Sequence, residues 1–181
     1  MMKSFAAAAA LTALSQPALA QGATCIAQED MTAATIYAMP IIVDSVQRKC
    51  SAQLSSSGFL ARSGAAFAKP YRVQQNRHWA ATARVLTAFT SSPQAKSMGG
   101  GEQLSAFSSL FKDQPEVMRP FVDASISSMV ASKIKVQDCA KIERGMELIA
   151  PLPPENAGGI VALILDSADG NMPKMCPLKR K

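Results

Sequence analysis

The chain has 181 residues, 48% hydrophobic, 6% aromatic and 18% charged, with a formal net charge of +6. The apolar fraction supports a packed core, while the scarcity of aromatics argues against a β-sandwich and favours helices. No internal repeat and no long linker divides it, so one domain of ordinary size is expected.

Residues 1–20 read as a cleaved export signal. "MMK" is a short positive start, and "SFAAAAALTAL" is apolar but shorter than the roughly 20 residues that cross a bilayer. "SQPALA" then ends in the small-x-small pattern cut by a signal peptidase, which places cleavage after Ala20. An uncleaved anchor is less well supported, because no polar stop follows a long enough run. A lipoprotein is also less well supported, because Thr24 stands before Cys25 where Gly or Ala is wanted. Residues 21–181 are thus expected to form a single helical domain in the periplasm or outside the cell.

Residues 31–49 form the first expected helix. Glu29 and Asp30 lie near its start and Arg48 and Lys49 at its end, as the helix dipole favours. Pro40, with no turn residues around it, should kink this helix rather than break it. A short helix over 59–68 follows, and Pro70 permits a new start. In "YRVQQNRHWAATARVLTAFT", Trp79, Thr82, Leu86 and Phe89 keep the three-and-four spacing of a buried stripe, with Arg77 and Arg84 pointing away. "SSPQAKSMGGG" is the longest evident loop, and residues 102–111 read as a short helix with Leu104, Phe107 and Phe111 inward.

"DQPEVMRPFVDASISSMVASK" is the next helix. Asp113 caps it with Glu116 three residues on, unless Pro120 moves its start to Arg119. Asp138 then caps a helix in which Cys139, Ile142, Met146 and Ile149 line one arc, and Pro151 ends it. "GGIVALIL" resembles a buried strand, but with no second convincing strand to pair it a core helix is expected. The fold class is therefore an all-α, single-domain helical bundle.

The four cysteines are Cys25, Cys50, Cys139 and Cys176. An even count in an exported chain reads as two disulfides, and the absence of any C-x-x-C removes the usual zinc, redox and haem-attachment signatures. The helix over 31–49 is about 27 Å long, whereas bridged Cα atoms lie within about 7 Å. A Cys25–Cys50 bridge would force the leader back along that helix, so each early cysteine is expected to join a late one.

Candidate chemistry is sparse. Glu143 and Glu147, at i and i+4, share one helix face, and paired carboxylates are what glycoside hydrolysis needs. Like charges at that spacing are also common on solvated faces, where Lys141 and Arg144 offset them, and a scaffold role is expected. His78 is the only histidine and suits the border of a core. "SLFK" and "SKIK" match S-x-x-K without the partner motifs of penicillin-binding enzymes, and "SMGGGE" lacks the lysine of a phosphate loop. In "DSADGN", an EF-hand register would put Leu165 at the first ligand position, which rules out a calcium loop of that type. Met172, Met175 and Cys176 form a soft-ligand cluster that a disulfide at Cys176 would disable, so no cofactor or metal is expected.

Charge is unevenly spread. Residues 21–44 hold Glu29, Asp30 and Asp44 with no cation, whereas residues 45–101 hold eight cations and no acid. A basic face carrying Arg72, Arg77 and Arg84 is expected, able to attract anionic polymers or surfaces over about a Debye length. Three functional readings follow. The first is a non-enzymatic module that binds an envelope protein or anionic envelope surface through that face. The others are a small envelope-acting hydrolase using Glu143 and Glu147, and a carrier of apolar ligands in a Met- and Ala-rich interior. Export and a core-like aromatic stripe argue against nucleic acid as partner.

Overall fold

The computed structural model describes residues 25–91, 115–167 and 174–177. These residues form α1 (Gln28–Cys50), α2 (Phe59–Ser91), α3 (Pro115–Lys133), a 3-10 turn (Val136–Asp138), α4 (Cys139–Ile149) and α5 (Pro154–Ser167). No strand occurs among them; the sole β-type pairing is an isolated parallel bridge between Ile26 and Met175. The all-α bundle expected from composition is what the chain forms, tied by Cys25–Cys176 and Cys50–Cys139. Each early cysteine joins a late one.

α1 is the central element, with α2, α3 and α5 packed around it. Its sequence explains that position: Met31, Ile36, Tyr37, Met39, Val43, Val46 and Cys50 are buried over a much wider arc than one amphipathic stripe. The buried hydroxyls do not compromise it, because Thr35 Oγ1 and Ser45 Oγ donate to the carbonyls of Met31 and Ile41 one turn back. The helix runs through Pro40 without ending.

The expected break at Pro70 does not occur. Residues 59–68 and the amphipathic segment after Pro70 form a single helix of 33 residues. A proline inside a helix removes only its own N–H bond and crowds one carbonyl. Here Phe67, Ala68 and Tyr71 flank Pro70 and are all buried in the main core, so packing on both sides of the proline outweighs that loss. α3 (Pro115–Lys133) runs through Pro120, so the alternative start at Arg119 is not the one taken. The expected cap Asp113, the glycine-rich loop after Ser91 and the expected helix over 102–111 lie outside the described residues, as do residues 1–24 and Met172.

α4 begins at Cys139 as expected, with Cys139 and Met146 buried and Ile142 and Ile149 packed at the rim. Asp138 does occupy its N-cap position, but its side chain makes no capping bond. Its backbone is already folded into the preceding 3-10 turn, in the αR region rather than the extended geometry a capping side chain needs.

α5 departs most from expectation. It is a helix, not a strand, but not a core helix. Its buried positions are the small residues Ala157, Gly158 and Ala162, whereas Ile160, Leu163 and Ile164 are exposed. Gly158 explains the arrangement: a Cβ there would lie 3.0 Å from the Thr32 carbonyl oxygen, so α5 sits on α1 at near-backbone contact. The apolar run that resembled a buried segment turns its bulk outward.

Three apolar clusters divide the interior. The largest joins the C-terminal half of α1 to the first half of α2 and to α4, and encloses the Cys50–Cys139 bridge. A middle cluster holds Tyr37, Trp79 and Val122. The third unites Ile26, Met31, Val85 and Ala162 with Leu165 and Met175, beside Cys25–Cys176.

A candidate binding face on α2

α2 contains no acidic residue, and its outward side carries Arg62, Lys69, Arg72, Arg77 and Arg84. At 100° per residue, Arg62, Lys69, Arg77 and Arg84 fall within an arc of about 80° along a ridge of about 33 Å. Arg72 lies to one side of this row.

The folded chain redistributes the charge that the sequence segregates. Arg72 Nη2 donates to Asp44 Oδ1 at 2.5 Å. Arg84 grips Asp30 with two bonds, from Nη2 to Oδ1 at 2.5 Å and from Nε to Oδ2 at 3.0 Å. Donating to the Asp30 carboxylate also holds the Arg84 guanidinium pKa above its usual range. Two acids of α1, Asp30 in its first turn and Asp44 in its C-terminal half, thus neutralise part of the acid-free helix α2. Arg77 stands 3.7 Å from Glu155 at the start of α5, with both side chains largely in solvent. Of the three arginines expected to form the face, two spend their charge on α1 and one is loosely held.

Arg62 and Lys69 are exposed and make no ion pair among the described residues. Lys49, at the C-terminal end of α1, is likewise exposed and unpaired among them. These residues entered the charge tally, but periodicity gave no reason to single them out. The signal that identifies them is subtractive: they are among the cations left once Asp30 and Asp44 of α1 have taken Arg84 and Arg72, and that pairing depends on how α1 and α2 align.

Glu143 and Glu147 have separate duties. Glu143 Oε1 accepts the backbone N–H of Leu60 at 2.9 Å, satisfying an orphan donor in the first turn of α2. Gly58, just before that turn, makes the approach possible, since a Cβ there would stand 2.5 Å from the same oxygen. Glu147 Oε2 instead accepts from Arg144 Nη1 at 2.7 Å on the exposed side of α4. The first carboxylate is a cap supplied from another helix, and the second belongs to a surface pair.

His78 lines a shallow cavity of about 300 Å³ with Glu29, Thr32, Ile36 and Glu155. Burial, reinforced by the Arg77 charge, lowers its pKa below the ordinary histidine range, while Glu155 opposes the shift. Its Nε2 lies 3.2 Å from Gln74 Oε1. No group of three metal-ligating side chains occurs among the described residues.

A further polar cluster docks α3. The Tyr37 hydroxyl donates to Asp123 Oδ1 at 2.5 Å and accepts from Arg119 Nε at 3.2 Å. The Arg119 guanidinium also lies over the rings of Tyr37 and Trp79. One helical turn past Asp123, Ser127 Oγ accepts from Arg48 Nη2 at 2.9 Å and lies 2.9 Å from Ser45 Oγ, whose own proton goes to the Ile41 carbonyl. Burial and the bond to Asp123 raise the Tyr37 pKa far above the usual tyrosine range, so this phenol stays a donor. Residues 119, 123 and 127 form a polar stripe whose hydrogen-bond partners all lie on α1. It is a docking device inside the bundle.

No protein-family model, no curated protein and no solved structure matches this chain. No described helix is long and apolar enough to cross a membrane, and all four cysteines are bonded. Paired cysteines of this kind fit a non-cytoplasmic compartment.

Proposed function

We propose that the chain is an exported, non-enzymatic binding module that holds an anionic partner against the first half of α2. Arg62 and Lys69 carry this reading: both are exposed, lack an ion-pair partner among the described residues, and sit on a helix without a single acid. Lys49 and Arg77 extend the positive field at either side. The export signal over residues 1–20 and the two disulfides support a periplasmic or secreted setting.

The test is retention on immobilised heparin, a generic polyanion. Wild-type protein should be held at about 0.1 M salt and released towards 1 M, as the Debye length falls from about 10 Å to about 3 Å. The R62Q/K69Q variant should elute markedly earlier. Wild-type protein that passes straight through, or a double variant that elutes with it, would overturn the proposal.

A further inference from the structure

The exposed side of α2 has a second regularity besides charge. Arg62, Ala66, Lys69, Val73, Asn76 and Ala80 follow one another at alternating separations of four and three residues, and all six are exposed. That is the spacing of a coiled-coil seam, continued over about 27 Å. Val73, in its middle, is 77% exposed, the highest value among the large apolar side chains described.

Building on the basic face proposed above, we infer that the partner of α2 is an acidic amphipathic helix lying along this seam. The apolar seam positions between and beyond the two cations are Ala66, Val73 and Ala80. Such small residues leave troughs into which the side chains of a facing helix can seat. Arg62 and Lys69 stand one heptad apart, so acids spaced by seven residues on the partner meet both. Asn76 is a polar seam position of the type that fixes register. The absence of acids from α2 excludes a basic helix by repulsion.

Two other anionic partners fit less well. A bilayer surface would be gripped by large aliphatic side chains entering its interface, and Ala66 and Ala80 are too short for that. An extended polyanion follows the field but gains nothing from a four-three order of small residues. The seam reads a partner's shape as well as its charge.

The probe is a synthetic peptide of about three heptads, with glutamates placed to meet Arg62 and Lys69 and leucines placed to meet Ala66, Val73 and Ala80. A scrambled peptide of the same composition, polyglutamate and phosphatidylglycerol vesicles serve as comparators. The patterned peptide should bind the full-length protein at least tenfold more tightly than the scrambled one, and gain helicity as it does so. The variant A66F/A80F fills the troughs at two exposed positions without altering charge. It should lose at least tenfold in peptide affinity while its heparin retention stays unchanged. Equal binding of patterned and scrambled peptides, preference for the vesicles, or indifference to A66F/A80F would overturn the helical partner and leave the basic face standing. Loss of heparin retention by the wild-type protein would remove both.

Discussion

The two ends of α1 are closed by disulfides of very different character. At the C-terminal end, Cys50 and Cys139 are 0% and 1% exposed and lie inside the largest apolar cluster. At the N-terminal end, Cys25 and Cys176 are only partly buried, beside a cluster with four buried members. There the segment 174–177 is joined to Ile26 by two backbone bonds, Ile26 N to Lys174 O and Cys176 N to Ile26 O. The spans closed are 89 and 151 residues. In the chain-entropy picture those spans differ by only about 0.5 kcal/mol. What separates the two bridges is packing, not length: one is a core contact that happens to be covalent, the other a clasp on the rim.

The sharpest way to break this contrast is to remove each bridge in turn. Either double Cys→Ala change gives up a loop-closure contribution of about 4–5 kcal/mol. C50A/C139A also hollows the main cluster, so it should be the less stable by at least about 1 kcal/mol in thermal unfolding, or fail to fold. Mild dithiol treatment of the native protein, followed by alkylation and mass mapping, should label Cys25 and Cys176 well before Cys50 and Cys139. Equal melting temperatures and simultaneous labelling would show the two bridges to be equivalent.

A smaller effect is expected between the two ends. Y37F removes the hydroxyl that links Asp123 and Arg119, leaving a carboxylate without its donor, at a cost of about 1–3 kcal/mol. Denaturant unfolding of the variant checks it, and a loss below about 0.5 kcal/mol would mean α3 is docked by apolar contacts alone. At the Cys50–Cys139 end, E143A uncaps the first turn of α2 and should cost about 1 kcal/mol. E147A, which severs only an exposed pair, should cost less than E143A by the same measurement.

The smallest effect concerns pH and reports on the Cys25–Cys176 half, where His78 sits. Because its folded pKa is lowered, the unfolded chain binds the proton more readily. The stability His78 contributes is therefore complete above the ordinary value of 6.5 and declines as pH falls through and below it. H78Q should flatten that part of the stability profile. A wild-type profile that is level between pH 7 and 5, or unchanged by H78Q, would place the decline elsewhere.

Helical class and the order of the cysteine pairing were legible because both follow from local spacing and chain reach. The fused helix α2 was not, since a proline declares what it cannot bond but not which neighbours compensate it; Phe67 and Tyr71 do so through contacts with distant residues. The outward aliphatic side chains of α5 escaped for a related reason. Periodicity shows that "GGIVALIL" has two faces, but backbone contact at Gly158 selects the small one for burial. The basic region was visible as a tally of charges, whereas the fate of Arg72 and Arg84 depended on Asp44 and Asp30 lying opposite them across the α1–α2 interface. Spacing sets Glu143 beside Glu147 on one helix face but does not show what it bonds. Glu143 faces the start of α2 rather than Glu147, and only the bare Gly58 just before that helix hinted that a cap must come from elsewhere.

Trp79 is the single tryptophan of the chain. It is 2% exposed, with its ring 5.3 Å from that of Tyr37 and 5.8 Å from the Arg119 guanidinium. An indole held away from water beside a phenol and a cation gives this molecule a built-in optical reporter, uncontaminated by any second emitter of its kind. Its emission should shift to longer wavelength when the helices around it separate, so loosening of the middle of the bundle can be followed in real time without a label.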